Sequence, residues 1–144
     1  MPEHDGDNQQ SVLLLSGNQA PVTGVFTLQT TDGGCTLSLE FPGKRLAATK
    51  SDYFEALCAI RRELEQDGIT PNCYGACRDC YPSGMGRDMG LGLRIYRLEI
   101  GRPAGIKDLV SLFAAGPEMD LTTVAEQERF WREWLADRRA AANR

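Results

Sequence analysis

Between Cys73 and Gly90 the chain sets three of its five cysteines and four of its fifteen glycines within eighteen residues. No other part of the sequence is harder to explain as ordinary packing. Dense glycine marks backbone taken through tight turns or positive φ, and clustered thiols mark either a ligand site or small buried side chains. Any fold for this chain has to accommodate that segment between more regular flanks.

The flanks are legible from their periodicity. Residues 22–41 alternate, with Phe26 and Leu28 on one side of a first run and Cys35, Leu37, Leu39 and Phe41 on one side of a second. Thr31-Asp32-Gly33-Gly34 supplies the turn chemistry of an antiparallel hairpin, and Val12 to Leu15 is a candidate third strand. Asp52 with Glu55 reads as a capping box, followed by Tyr53, Leu57, Ile60 and Leu64 at helical spacing. This helix is expected to stop at Gly68, with Glu55, Arg61, Arg62, Glu63, Glu65 and Asp67 on a solvated face and Cys58 packed beside the apolar stripe.

Beyond the glycine-rich stretch, which is expected to be a loop pinned to the core by Met85 and Met89, residues 91–100 read as a strand and 106–114 as a short helix. A last helix begins at Thr123 with Glu126 three residues on, and Val124, Trp131 and Leu135 share its inner face with Phe130 and Trp134 beside them. Hairpins in place of repeated strand-helix-strand crossovers predict an α+β fold, an antiparallel or mixed sheet of four to five strands packed with three helices. The expected organisation is a disordered tail over 1–10, one domain over 11–137 and a frayed end over 138–144.

With 144 residues, 42% of them apolar and 25% charged, the chain suits one domain with its own core. A formal charge of -4 argues against binding nucleic acid through phosphate neutralisation and favours a basic protein partner. Val12-Leu13-Leu14-Leu15 is far too short to span a membrane, and the first ten residues carry acids where a secretory signal has bases, so a cytoplasmic protein is expected. The single histidine, His4, sits in the expected tail, which deprives Ser-His-Asp and Cys-His schemes of a placed base.

Four chemistries compete for the segment. Cys73, Cys77 and Cys80, completed by Cys35 or Cys58, form a candidate zinc site, although structural zinc sites normally pair two close-spaced ligand knuckles and a second is missing here. The same spacing matches the radical-SAM cluster loop, but Asp79 stands where that class usually carries an aromatic residue, and the chain is shorter than the barrel the class requires. A cysteine nucleophile would need Arg78 or Arg87 to lower its pKa. Gly84, Gly86, Gly90 and Gly92 with Arg87 and Arg94 form a candidate cradle for a phosphorylated ligand.

The run Tyr81-Pro82-Ser83-Gly84-Met85 with Arg87, Met89-Gly90 and Gly92, then Tyr96-Arg97-Leu98 with Gly101, then Asp108-Leu109-Val110 and Phe113, resembles small bacterial proteins of polymorphic toxin loci of the Rhs and contact-dependent type, immunity proteins among them. The preceding segment from Arg61 to Ile69 fits the same pattern. The resemblance implies a non-enzymatic inhibitor or an accessory protein from a toxin locus, and the expected reading is an immunity protein with a cognate toxin or other basic protein as partner and no cofactor. It further implies that Cys73 and Gly75-Ala76 belong to the shared pattern, whereas Cys77 and Cys80 are particular to this chain. Partner contacts are expected at Tyr81, Met85, Arg87 and Asp88, provided that the glycine-rich loop projects.

Overall fold

The hairpin forms where alternation and turn chemistry require it. In the computed structural model, which describes residues 8–143, β2 (Val22–Thr31) pairs antiparallel with β3 (Gly34–Phe41), Phe26 facing Leu39 and Leu28 facing Leu37. Gly34 takes φ +125 at the turn, which a residue with a Cβ rarely adopts. The Pro42-Gly43 turn continues the meander into β4 (Lys44–Lys50), an edge strand that opens on Lys44 and Arg45 and closes on Lys50, a charged edge of the kind that discourages unwanted pairing. On the other side β1 (Gln9–Ser16) pairs with β2, and β5 (Ile69–Pro71) with β1.

The result is a curled five-stranded antiparallel sheet in the order β4-β3-β2-β1-β5. Its inner face presents buried Val12, Leu14, Phe26, Leu37 and Leu39 to α1 (Tyr53–Gln66). That helix starts as expected, Asp52 accepting the Glu55 amide at 2.8 Å, and it buries Tyr53, Leu57, Ile60 and Leu64. Arg61 departs from expectation. In place of the solvated face it occupies the interior, only 1% exposed.

A second sheet of β6 (Cys80–Tyr81), β7 (Arg94–Arg97) and β8 (Leu109–Ser111) is also antiparallel. With three helices among the described residues, the fold is α+β. β7 is much shorter than the expected strand over 91–100, because Leu91 and Gly92 both take positive φ before it and Gly101 does so after it. The helix expected over 106–114 is absent. A 3-10 turn at Ile106–Asp108 leads directly into β8, where Leu109 and Val110 pair with Tyr96 and Ile95 of β7.

The glycine-rich stretch is not a loop throughout. Gly84–Gly90 forms a short helix, α2, started by Ser83, whose hydroxyl accepts the Gly86 amide at 2.9 Å, and ended by Leu91 in the left-handed region. The last helix, α3 (Val124–Ala142), starts at its Thr123 cap and runs through most of the end expected to fray. At the other terminus Gln9 and Gln10 belong to β1 and not to a tail, and residues 1–7 with His4 lie outside the described residues. No helix among the described residues is long and apolar enough to cross a membrane.

Candidate functional site

The cysteine segment is fixed by two polar side chains placed where apolar ones would be expected. Arg61 follows Leu57 by four positions and precedes Leu64 by three, so it faces inward with the apolar stripe. Gln127 holds the matching place on α3, three residues after Val124 and four before Trp131. The Arg61 guanidinium donates to the carbonyls of Gly75 and Thr122 at 2.9 Å each, and to Gln127 Oε1. Gln127 Nε2 in turn donates to the carbonyls of Gly75, Cys77 and Cys80 at 2.8 to 2.9 Å.

These bonds satisfy carbonyls along a stretch that pairs with other strands only at Cys77 with Leu121 and at Cys80 with Arg97, carbonyls that would otherwise be costly to bury. Every acceptor on Arg61 is neutral, and burial pushes the guanidinium down from its ordinary pKa. Sequence reasoning misses both residues. Their only signal is positional: a polar side chain in register with the apolar stripe of its helix.

All five cysteines are buried and free, and they do not converge on one point. Cys77, Asp79 and Cys80 bring their ligand atoms within 4.8 Å of one another, whereas Cys73, Cys35 and Cys58 stand outside this group. The alternative set of Cys73, Cys77 and Cys80 is therefore not brought together, and the groups that do approach one another are two thiols and a carboxylate. The cause is local: the 3-10 turn at Tyr74–Ala76 separates Cys73 from the other two, while the turn after it brings Cys80 N to Cys77 O.

Burial pushes the Cys73 thiol up to about 12 and the Cys58 thiol up to about 11. Within the close pair the Cys80 thiol is held protonated by donating toward Cys77 and by burial, and Cys77 is lowered chiefly because it receives that hydrogen bond. The two cations expected to activate a cysteine, Arg78 and Arg87, are already paired with carboxylates. Arg78 pairs with Asp120 and Glu126, and Arg87 with Asp52 and Glu55.

Of the four expected contact residues, the structure exposes two. Tyr81 is buried, stacked on Trp131 with centroids 4.4 Å apart and edge-on to Phe54. Arg87 lies over the rings of Phe54 and Tyr81 and reaches the Tyr81 hydroxyl at 3.3 Å, so it belongs to the foundation of α2 more than to its surface. Asp88 is exposed and Met85 is 72% exposed. Met89, expected to pin the segment to the core, is 80% exposed, one helical turn from Met85.

Next to α2 opens a groove of about 360 Å³, lined by Tyr81, Pro82, Tyr96, Trp131, Trp134 and Leu135 among others. Tyr96 and the two tryptophans do not stand out in the sequence as contact residues. Their signal is weak, because aromatic residues on an inward helix face ordinarily mean core. Part of the candidate phosphate cradle is spent internally, since the Gly86 amide donates to Ser83, the Gly92 amide to the Gly86 carbonyl, and Arg87 faces two carboxylates, whereas Arg94 is exposed.

Fold and site thus define an α+β protein with an aromatic groove beside a methionine-bearing helix. No family model matches the chain, and no curated protein matches it significantly.

Proposed function

We propose that the protein is a non-enzymatic protein-binding module whose contact surface is α2 together with the adjoining aromatic groove. The observation that carries this reading is the exposure of Met85 and Met89 on one short helix, at 72% and 80%, next to a groove of about 360 Å³ containing Trp131 and Trp134. Large apolar side chains grouped at the surface are costly to leave in water and mark contact sites, and methionine adapts its shape to a partner. Arg87, paired with Asp52 and Glu55 and lying over two aromatic rings, ties the helix to α1 and β6.

The formal charge of -4 suits a basic partner, and the resemblance of residues 61–113 to proteins of toxin loci suggests its class: a cognate bacterial toxin, neutralised in the cytoplasm by occlusion of its surface. Candidate anchors are Met85, Asp88 and Met89, with Tyr81 and Arg87 in support.

The test is coexpression with the product of the adjacent open reading frame, followed by titration of the purified pair. Met85→Asp combined with Met89→Asp is expected to weaken binding at least about tenfold with the circular dichroism spectrum unchanged, since desolvated anchors carry about 2 kcal/mol or more each. A complex that survives this double substitution with full affinity sinks the surface assignment. Failure of the two products to associate at all sinks the toxin reading.

A further inference from the structure

All five cysteines are buried, but among the described residues only Cys77 and Cys80 group their sulfurs with a carboxylate at ligand distance. These two thiols share one tight turn with the Asp79 carboxylate between them in sequence, the donor atoms of all three lying within 4.8 Å of one another. Cys80 Sγ is 3.8 Å from Asp79 Oδ1, and Cys77 Sγ 3.8 Å from the Cys73 carbonyl. The turn is held in place, because Gln127 Nε2 donates to the carbonyls of both cysteines and Arg61 fixes Gln127. A ligand set whose backbone is immobilised before the ion arrives binds with little ordering cost.

We propose that Cys77, Asp79 and Cys80 form a binding site for a thiophilic divalent cation, zinc by chemistry. Two thiolates with one carboxylate suit zinc, whereas calcium and magnesium require an all-oxygen shell. Asp79 is partly exposed while both cysteines are buried, so the ion enters from the Asp79 side and the fourth position is left to solvent. Binding displaces the thiol protons to solvent and leaves an ion with three anionic ligands, a net single negative charge. Arg97 stands opposite Cys80 in the β6-β7 register and supplies a compensating charge. The site involves neither α2 nor the aromatic groove, so it stands or falls independently of the binding role.

Cobalt titration of the reduced full-length protein tests it. The expected result is a thiolate-to-cobalt charge-transfer band that saturates at one ion per chain and disappears when zinc is added. Cys77→Ser and Cys80→Ser should each weaken binding by more than about tenfold, Asp79→Asn by about tenfold, and Cys73→Ser should bind like the parent. Asp79→Asn keeps both buried thiols in place, so it remains informative if a serine variant fails to fold. Absence of the band in folded reduced protein overturns the proposal, as does an unchanged affinity in Asp79→Asn or an intact mass showing a Cys77-Cys80 disulfide in place of metal uptake.

Discussion

Tyr81 of β6 and Trp131 of α3 lie face to face, centroids 4.4 Å apart and planes 13° from parallel, and this stack joins the small sheet to the last helix. It also forms one wall of the aromatic groove. Because Tyr81 follows Cys80 directly, the stack and the cysteine turn share one rigid support, held from behind by Gln127.

If the stack is energetically specific, Tyr81→Leu and Trp131→Leu should show a coupling of about 1 kcal/mol in a double-mutant cycle of urea unfolding, beyond the apolar area each removes. Strict additivity of the two single losses would mean that the rings merely fill space.

Arg61→Met should cost about 3 kcal/mol of stability, since the buried Gln127 Oε1 and the Thr122 carbonyl lose their donor and the Gly75 carbonyl loses one of two. Gln127→Leu is expected to cost about as much, and the double substitution clearly less than the sum, because both act on one network. Denaturant midpoints equal to the parent for either single change would show that the Arg61-Gln127 network does not hold the fold together.

At Gly75 a Cβ would meet Leu57 Cδ2 at 2.5 Å and Leu112 Cδ1 at 2.8 Å. Gly75→Ala should therefore lose about 2 kcal/mol by overpacking, most visibly as a lower melting temperature. Gly92→Ala should lose at least as much, because φ is +72 there and the new methyl would sit 2.9 Å from the Phe54 nitrogen.

Two carboxylates predict an acid-labile edge. Asp108 is lowered first by the Gly105 amide and then by Arg102, and Glu126 first by Arg129 and then by Arg78. A depressed folded-state pKa contributes stability that is fully present above the unfolded value and lost as pH falls through the folded one. Melting temperature should thus hold from neutrality to about pH 5 and decline below about pH 4. In Asp108→Asn with Glu126→Gln the decline should be shallower, and an identical acid limb in that variant would show that other groups govern it.

Elements whose signals lie within a few residues of one another are legible in the chain alone. The Asp32-Gly33 hairpin, the start of α1 at Asp52 and the start of α3 at Thr123 all rest on contacts between near neighbours. The strands β4, β5 and β8 are not legible: β4 is a charged edge with only Leu46 and Ala48 half-buried on alternate positions, and β5 and β8, three residues each, are too short to hold a period. α2 is hidden for a different reason: glycine occupies three of its seven positions, and its Ser83 cap suits a turn as well as a helix start.

Near-neighbour chemistry therefore settled the α+β class, the main hairpin and the two long helices, since caps, turns and apolar periods act over a single turn of chain. Tertiary contact decided the burial of Arg61, the exposure of Met85 and Met89, and the choice of two sulfurs out of three. Arg61 and Gln127 are 66 residues apart. Neither side chain acquires its meaning until packing removes water from both and leaves each as the acceptor or donor that the other requires.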